Sequence, residues 1–345
     1  MLRFRPVQIL AVAVSATELA ACGASAASTG ARRPVPISSR AAPAAGTRTP
    51  APACGTRAPE ALATATGMVA TRIYAGELSG TETRSDQRQV EGFAPLQSAL
   101  AAGNREALKA AVTTLVYSHT HVVRLRVTRG ARVLADVGGP YILAPVSGTL
   151  RAHGRVLGHY VLSVQDDLGY IKLVTRFLAV PLVLRVGSHQ IPVTGQLAPA
   201  PASIPNHGPL SYRGKTYEAF SFAARSFPGG PLRISLLVPP AGGLAARSCA
   251  QIRSAALAHA AQLISRRFRL GPSSFAVYIE FVRTLTDGLL YVRSGARQLA
   301  GTTTPGPARL PTSGAVTYRG HSYAVSSFTA PSSSGRVRIY QLVRG

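Results

Sequence analysis

The acidic pair Asp166-Asp167 is the clearest group of chemically capable side chains in the sequence. Adjacent carboxylates could perform acid–base catalysis, coordinate Ca²⁺ or hold a cationic ligand. The same residues ahead of Gly169 are also typical of a turn in which an Asp side chain accepts backbone N–H bonds. Asp136, which precedes a Gly-Gly-Pro segment, has the same two interpretations. The turn is the favoured interpretation, and a hydrolase using Asp166 or Asp167 is the least favoured function.

The second candidate is the histidine pair His119 and His121. Alternate residues of a strand point to the same side, so the two imidazoles could bind a metal ion together. No third ligand lies nearby in the sequence, and His is also common as a cap or core residue at a helix-to-strand junction. The sequence has no nucleophile elbow, phosphate-binding loop or zinc-protease motif. We therefore expect no metal, no cofactor and no catalytic activity.

Arginine supplies most of the charge of this chain. Its 345 residues include 38 Lys and Arg against 13 Asp and Glu, a formal net charge of +25. Such a charge is typical of proteins that bind phosphates. Here the arginines occur singly within predicted strands, without a basic run, zinc-finger spacing or aromatic stacking motif. The pattern argues against nucleic acid and favours attraction to anionic lipid head groups or cell-wall polymers.

The amino terminus has the layout of an export signal over residues 1–22. Arg3 and Arg5 precede a short apolar segment, and a Leu-Ala-Ala-Cys tetrad ends at Cys22. The apolar segment is too short to cross ~30 Å of hydrocarbon. The tetrad resembles a bacterial lipobox, so we expect a lipoprotein acylated at Cys22 on the outer face of the cell membrane. Glu18 departs from that pattern, and the alternatives are ordinary secretory cleavage shortly after Cys22 or an uncleaved anchor.

Residues 23–58 are rich in Ala, Pro, Ser, Thr and Arg and cannot build a hydrophobic core. This composition predicts a disordered tether that holds the folded part away from the bilayer. With Cys22 acylated, Cys54 and Cys249 remain. Two such cysteines can form a disulfide in an oxidising compartment, and the alternative is two independent thiols.

Apolar periodicity predicts the elements that would position these side chains. A period near that of an α-helix predicts helices over 59–77, 92–118 and 248–268. Alternation or a short apolar run predicts strands over 121–127, 132–136, 147–151, 156–164, 170–177, 181–186, 276–283 and 289–292. Helices followed by antiparallel strands correspond to the α+β class.

An internal repeat lies in the second half of the chain. Residues 208–217 and 314–323 share Gly, Tyr-Arg-Gly and Tyr at the same offsets, and the segments that follow them also agree. Two such hairpins imply a duplicated unit. The second copy has no evident equivalent of the strands over 147–177, so we expect it to be trimmed. The predicted boundaries are 59–240 for the first α+β domain and 241–345 for the shorter repeat.

The segment over residues 80–195 resembles the Cache (PAS-like) domain of extracytoplasmic sensors. The resemblance is carried by strand 121–127, by the return strand 132–136, and by a Gly-Thr-Leu-Arg-x-x-Gly-Arg-Val-Leu-Gly segment that ends at Gly158. It implies a small-molecule pocket on one sheet face. Because the sequence has no second transmembrane helix and no kinase, cyclase or methyl-accepting module, we expect a tethered binding module and not a complete receptor.

Arginines in strands around the implied pocket favour a small organic anion as ligand. The candidate ligand-binding residues are Arg124, Arg126, Tyr141, Arg151, Tyr160, Asp166, Asp167 and Tyr170. The main hypothesis is therefore a membrane-anchored ligand-binding or sensory lipoprotein. The alternative is a structural envelope lipoprotein whose arginine-rich surface binds anionic cell-wall polymer without a pocket.

Overall fold

The computed structural model of this protein describes residues 53–118, 121–140, 142–187, 189–191 and 200–345. These residues belong to one compact unit. The predicted signal peptide, the predicted acylation site Cys22 and nearly all of the predicted tether lie outside the described residues, as do His119 and Tyr141.

Seven α-helices are formed by the described residues. They are α1 Ala58–Ser79, α2 Thr81–Gly92, α3 Ala94–Ala102, α4 Arg105–Tyr117, α5 Asp167–Leu178, α6 Cys249–Ser265 and α7 Phe275–Thr286. The side chain of Asn104 caps α4, and Ser248 and Gln251 form a capping box at α6. Such caps satisfy backbone N–H groups that have no partner inside the helix. None of these helices combines the length and apolar composition needed to cross a bilayer.

Sixteen strands, in antiparallel pairs, form three sheets in the same part of the chain. The first eight are β1 Arg124–Arg129, β2 Arg132–Gly138, β3 Ile142–Leu143, β4 Val146–Ala152, β5 Arg155–Ser163, β6 Gln165–Asp166, β7 Leu182–Val186 and β8 His189–Gln190. The others are β9 His207–Tyr212, β10 Lys215–Phe227, β11 Gly230–Val238, β12 Leu289–Ser294, β13 Arg297–Gly301, β14 Ser313–Tyr318, β15 His321–Ser332 and β16 Gly335–Arg344.

Two of the sheets contain the same five-strand arrangement. The order is β8-β7-β11-β10-β9 in one and β13-β12-β16-β15-β14 in the other. Two helices belong to each, so α1, α5 and β7–β11 are named repeat 1, and α6, α7 and β12–β16 are named repeat 2. The predicted α+β class is confirmed, and the two equivalent sheets agree with a duplicated unit.

The two repeats share one hydrophobic core. Helix α1 packs on β10 and β11 of its own sheet, α6 packs on β15 and β16, and the two helices contact each other. Burial of this apolar surface is the main favourable term in folding. Fully buried members from the four helices and both sheets are Val69, Val174, Ala261, Val282, Ile234 and Ile339.

A buried tyrosine makes the same hydrogen bond in both repeats. Tyr170 is the fourth residue of α5 and donates to the carbonyl of Ala70 in α1 at 3.0 Å. Tyr278 is the fourth residue of α7 and donates to the carbonyl of Ala261 in α6 at 2.9 Å. Each bond therefore fixes the short helix of a repeat to the long one.

Two arginines bind loop carbonyls in equivalent places. Arg185 in β7 donates to the carbonyls of residues 201 and 202, and Arg293 in β12 donates to those of residues 307 and 308. These loops lie over the outer faces of the two sheets, where smaller apolar clusters form. Part of the arginine excess is thus used inside the fold.

Repeat 1 carries an inserted segment, residues 80–166, between α1 and α5. In it, α2, α3 and α4 cover one face of the sheet β2-β1-β5-β4 and build a separate core. The short strands β3 and β6 pair with each other, and β3 also pairs with β10, which ties the segment to the sheet of repeat 1. Repeat 2 is shorter because it lacks this insertion; its own five strands are complete. The residues that carry the Cache resemblance all lie in the inserted segment.

Two of the predicted strands are helices. The predictions over 170–177 and 276–283 are wrong, because these residues form α5 and α7. Their β-branched and aromatic composition favours a strand. The buried positions of α5 are nevertheless Tyr170, Ile171, Val174, Phe177 and Leu178, which repeat with a helical period.

The predicted disulfide is confirmed. Cys54 and Cys249 are bonded, with Cα atoms 4.8 Å apart and a sequence separation of 195. The bond links the residues just before α1 to the first residue of α6, so it joins the beginnings of the two long helices.

Candidate functional site

Arg124 and Arg126, two of the predicted ligand-binding residues, converge on Asp136. The Nε and Nη2 atoms of Arg124 donate to the two Asp136 carboxylate oxygens at 2.8 and 2.9 Å. Arg126 donates to Oδ2 at 2.9 and 2.7 Å. Both guanidiniums also lie over the Phe227 ring, at 5.2 and 4.4 Å from its centroid. Their charge is thus already engaged within the protein.

The electrostatics of Asp136 agree with this geometry. Burial acts to raise the pKa of its carboxyl, but the hydrogen bonds and positive charges of Arg124 and Arg126 hold that pKa below its ordinary value. The carboxylate is therefore ionised at neutral pH, and an anionic ligand at these arginines would have to displace it.

The other described members of the predicted set lie apart. Tyr160 is buried and donates to Glu91 at 2.8 Å, and burial of its ring within the core raises its pKa. Tyr170 is equally buried against α1. Asp166 accepts from the backbone N–H of Gly169 as the N-cap of α5, and Arg151 is exposed.

Asp167 begins α5 directly after this cap. Burial, followed by the neighbouring charge of Asp166, raises the pKa of its carboxyl. The sheet face toward α2, α3 and α4 is a closed apolar core, so the described candidates do not line a common pocket there.

A cavity large enough for a small molecule lies elsewhere, at the beginning of α1. We name it the α1 groove; it has a volume of about 520 Å³. It lies between the first turns of α1, the hairpin β9–β10 and the segment after β11. Its lining residues are Thr56, Pro59, Glu60, Leu62, His207, Gly208, Pro209, Thr216, Tyr217, Glu218, Pro239 and Pro240.

The register of the sheet brings one side of the groove together. Glu218 in β10 lies opposite Pro209 in β9 and opposite Val238 in β11. The β9–β10 turn is made by Arg213 and Gly214, both with positive φ, which suits a tight two-residue hairpin. The Tyr-Arg-Gly motif of the repeat therefore sets which residues of β9 and β10 face each other.

Helix α1 forms the other side of the groove. Gly67 permits close contact with β10, because a Cβ at this position would overlap the ring of Phe220. The start of the helix is held by the disulfide and by the backbone N–H of Cys54, which donates to the carbonyl of Arg247 at 2.7 Å. Glu60 lies in the first turn, on the groove.

Two carboxylates, Glu60 and Glu218, give the groove its electrostatic character. Glu218 is half-buried; burial, followed by the negative charge of Glu60, raises its pKa. None of the salt bridges between described residues involves either of them. Two carboxylates thus line the same cavity, together with His207, and neither forms an ion pair with a described residue.

A comparison of the two repeats in the sequence distinguishes Glu60 and Glu218, although neither was among the predicted site residues. Glu218 follows the second Tyr of the shared motif, whereas repeat 2 has Ala324 at that point. Glu60 is the third residue of α1, whereas the third residue of α6 is Gln251. Repeat 2 thus has the same fold without either carboxylate.

A second acidic cluster lies where the inserted segment joins repeat 1. Glu77 at the end of α1 accepts a hydrogen bond from Gln165 in β6, and Glu82 in α2 forms an ion pair with His121. Burial and then the charge of Glu82 raise the pKa of Glu77 to about 7. Burial also raises the pKa of Asp86 to about 6, although His121 acts to lower it. Among the described His, Cys, Asp and Glu residues, no group of three has a geometry able to hold a metal ion.

Comparisons with known proteins do not assign a function to this groove. No family model matches the chain, and no curated protein matches it. The solved structures similar to it include two crystal structures of the periplasmic domain of Vibrio cholerae LuxQ, each with 9% sequence identity. They cover 84% of this chain and 100% or 98% of the LuxQ domain, with TM-scores of 0.15 and 0.14. TM-scores this low do not establish a common fold.

Proposed function

We propose that this protein is an extracytoplasmic, membrane-anchored binding protein whose ligand occupies the α1 groove. The observation that carries the proposal is the groove itself, a cavity of about 520 Å³ where apolar side chains surround a few polar groups. Small-molecule pockets typically enclose about 300–1,000 Å³ and have the same composition. The groove is also the part of the fold where the disulfide fixes the start of α1.

The groove supports this function better than the predicted anion pocket does. An organic anion was expected at the arginines of the inserted segment, and the two that converge, Arg124 and Arg126, already share the carboxylate of Asp136. Displacing a carboxylate from two charge-assisted hydrogen-bonded partners is costly. A ligand that enters the α1 groove displaces no such partner.

The binding role is tested with a thermal-shift screen of the full chain in detergent, using amines, carboxylates and neutral compounds. Free ligand at 100 times its Kd stabilises the folded state by about 2.7 kcal/mol. Thr216→Trp places a large ring in the groove and should remove the effect of every ligand. Ser322→Trp, at the equivalent position of repeat 2, is the matched control. A screen without hits, or hits that Thr216→Trp leaves unchanged, would contradict the proposal.

The anchor is tested separately through Cys22. We propose that this residue carries the lipid, so cells fed radiolabelled palmitate should label the wild-type chain. Cys22→Ala should abolish the label and release the protein from the membrane fraction, whereas Ser25→Ala should change neither. Label that persists in Cys22→Ala would overturn the lipoprotein assignment.

A second candidate function is adhesion to an anionic cell-wall polymer. It is favoured by a basic tip on the inserted segment, where the β1–β2 and β4–β5 hairpins end in exposed Arg132, Arg151 and Arg155. Exposed charges of this kind attract polyanions in a manner that salt screens. Replacing the three residues by Gln should weaken co-sedimentation with anionic polymer at low salt and leave ligand binding in the groove unchanged.

A further inference from the structure

We infer that the α1 groove binds an organic cation, such as a protonated amine, between the carboxylates of Glu60 and Glu218. The inference rests on the proposed function, since it names the class of ligand for the same site. It reverses the sign of the ligand charge that the arginine-rich sequence predicts.

The first support is the unpaired state of the two carboxylates. In this strongly basic chain, only four of the described carboxylates, those of Glu82, Asp136, Glu280 and Asp287, form ion pairs with described residues. Glu60 and Glu218 form none of those ion pairs, although both line the groove and the negative charge of Glu60 acts with burial to raise the pKa of Glu218. A cation between them would add two electrostatic attractions where the carboxylates alone repel each other.

The second support comes from repeat 2, which serves as an internal comparison. Its fold is the same, yet Gln251 and Ala324 stand where repeat 1 has Glu60 and Glu218. The unit therefore folds without carboxylates at these places. A glutamate in the first turn interacts favourably with the helix dipole, and this interaction explains the presence of Glu60 without a ligand. It gives no reason for a half-buried glutamate in β10.

The composition of the groove indicates an organic cation and not a metal ion. Ca²⁺ normally takes about six to eight oxygen ligands, more than two carboxylates supply. The remaining walls are largely apolar, and the cavity is much larger than an ion needs. Apolar lining residues are Pro59, Leu62, Pro209, Tyr217, Pro239 and Pro240. These features suit an ammonium group attached to an apolar body.

The test is isothermal titration of the detergent-solubilised full chain with phenethylammonium chloride. Phenethyl alcohol and 3-phenylpropionate are the neutral and anionic probes of similar shape. The amine should bind most tightly, and Glu60→Gln/Glu218→Gln should raise its Kd by about tenfold or more, as expected for loss of charge-assisted hydrogen bonds. Glu106→Gln, an exposed glutamate in α4, is the matched control and should leave the Kd unchanged.

The outcomes separate this inference from the proposed function. One contrary result is that all three probes bind equally, with binding lost in Thr216→Trp but kept in the double Gln variant. That result would contradict the inferred preference for a cation and leave the groove as a ligand site. Binding of only the anionic probe, or of only carboxylates in the thermal-shift screen, would likewise contradict the preference for a cation and leave the groove as a ligand site. If no compound stabilises the protein, the proposed function fails as well. Circular dichroism and melting of each variant show whether it is folded.

Discussion

Asp136, Glu77 and Glu218 are three carboxylates with different properties in one basic chain. Two guanidiniums hold the pKa of Asp136 below its ordinary range, whereas burial raises the pKa of Glu77 and of Glu218. Desolvation disfavours a charged form and a nearby opposite charge favours it, so the balance depends on tertiary neighbours. At the residue scale, the protonation behaviour of each carboxylate therefore depends on whether a cation lies beside it.

Asp136→Asn should destabilise the protein. The amide cannot match four charge-assisted bonds, so Arg124 and Arg126 would be left partly desolvated with weaker partners. We expect a loss of about 1–2 kcal/mol in the free energy of unfolding by urea. Glu280→Gln removes an exposed pair with Arg283, which solvent screens, and should change the free energy of unfolding much less. Equal effects of the two substitutions would contradict this assignment.

Glu77 should make stability depend on pH. Its folded pKa of about 7 lies above its ordinary value of 4.5, so the folded state binds the proton more tightly than the unfolded state. The associated stability is complete below pH 4.5 and is lost as pH rises to about 7. Glu77→Gln should reduce this slope, leaving the part that Asp86 contributes below about pH 6, and stabilise the protein at pH 8 by roughly 1–3 kcal/mol. Urea denaturation at pH 5, 6, 7 and 8 measures both effects, and an unchanged slope would refute the expectation.

At the scale of elements, the sequence predicts best where apolar spacing and capping residues agree. The helix expected over 59–77 and the hairpins around both Tyr-Arg-Gly motifs are present. Helices α5 and α7 were mistaken for strands because β-branched and aromatic residues fill them, and their helical form depends on packing against α1 and α6. The α1 groove could not be predicted from one segment, since it joins residues from three distant parts of the chain.

Equivalent elements of the two repeats should respond alike to the same substitution. Tyr170→Phe and Tyr278→Phe each delete one buried hydroxyl bond to the long helix of the repeat. Each should lower the free energy of unfolding by about 0.5–1.5 kcal/mol, with an unchanged ring position. Tyr117→Phe, at an exposed tyrosine of α4, is the control and should change it little. A large difference between the two buried sites would mean that the repeats are not energetically equivalent.

At the scale of the whole molecule, the two copies of the duplicated unit share a core but differ in their surfaces. Both repeats contribute to a common core, in which the long helices α1 and α6 pack against each other. Repeat 1 alone has the carboxylates of the groove, and it alone holds the inserted segment with the basic tip. Duplication thus provides the scaffold, while differences between the copies provide the candidate binding surfaces.

The inserted segment should be removable without loss of the common core. Its apolar cluster is separate from that of the repeats, and in repeat 2 the short segment 266–274 joins the corresponding helices. Replacing residues 80–166 with a copy of 266–274 should therefore give a chain that unfolds cooperatively and still binds phenethylammonium through Glu60 and Glu218. Binding to anionic polymer should fall, because the basic tip is gone. The same replacement carrying Thr216→Trp is the control for amine binding. A chain that collapses without a cooperative transition would show that repeat 1 needs the insertion, through β3 and β6, to fold.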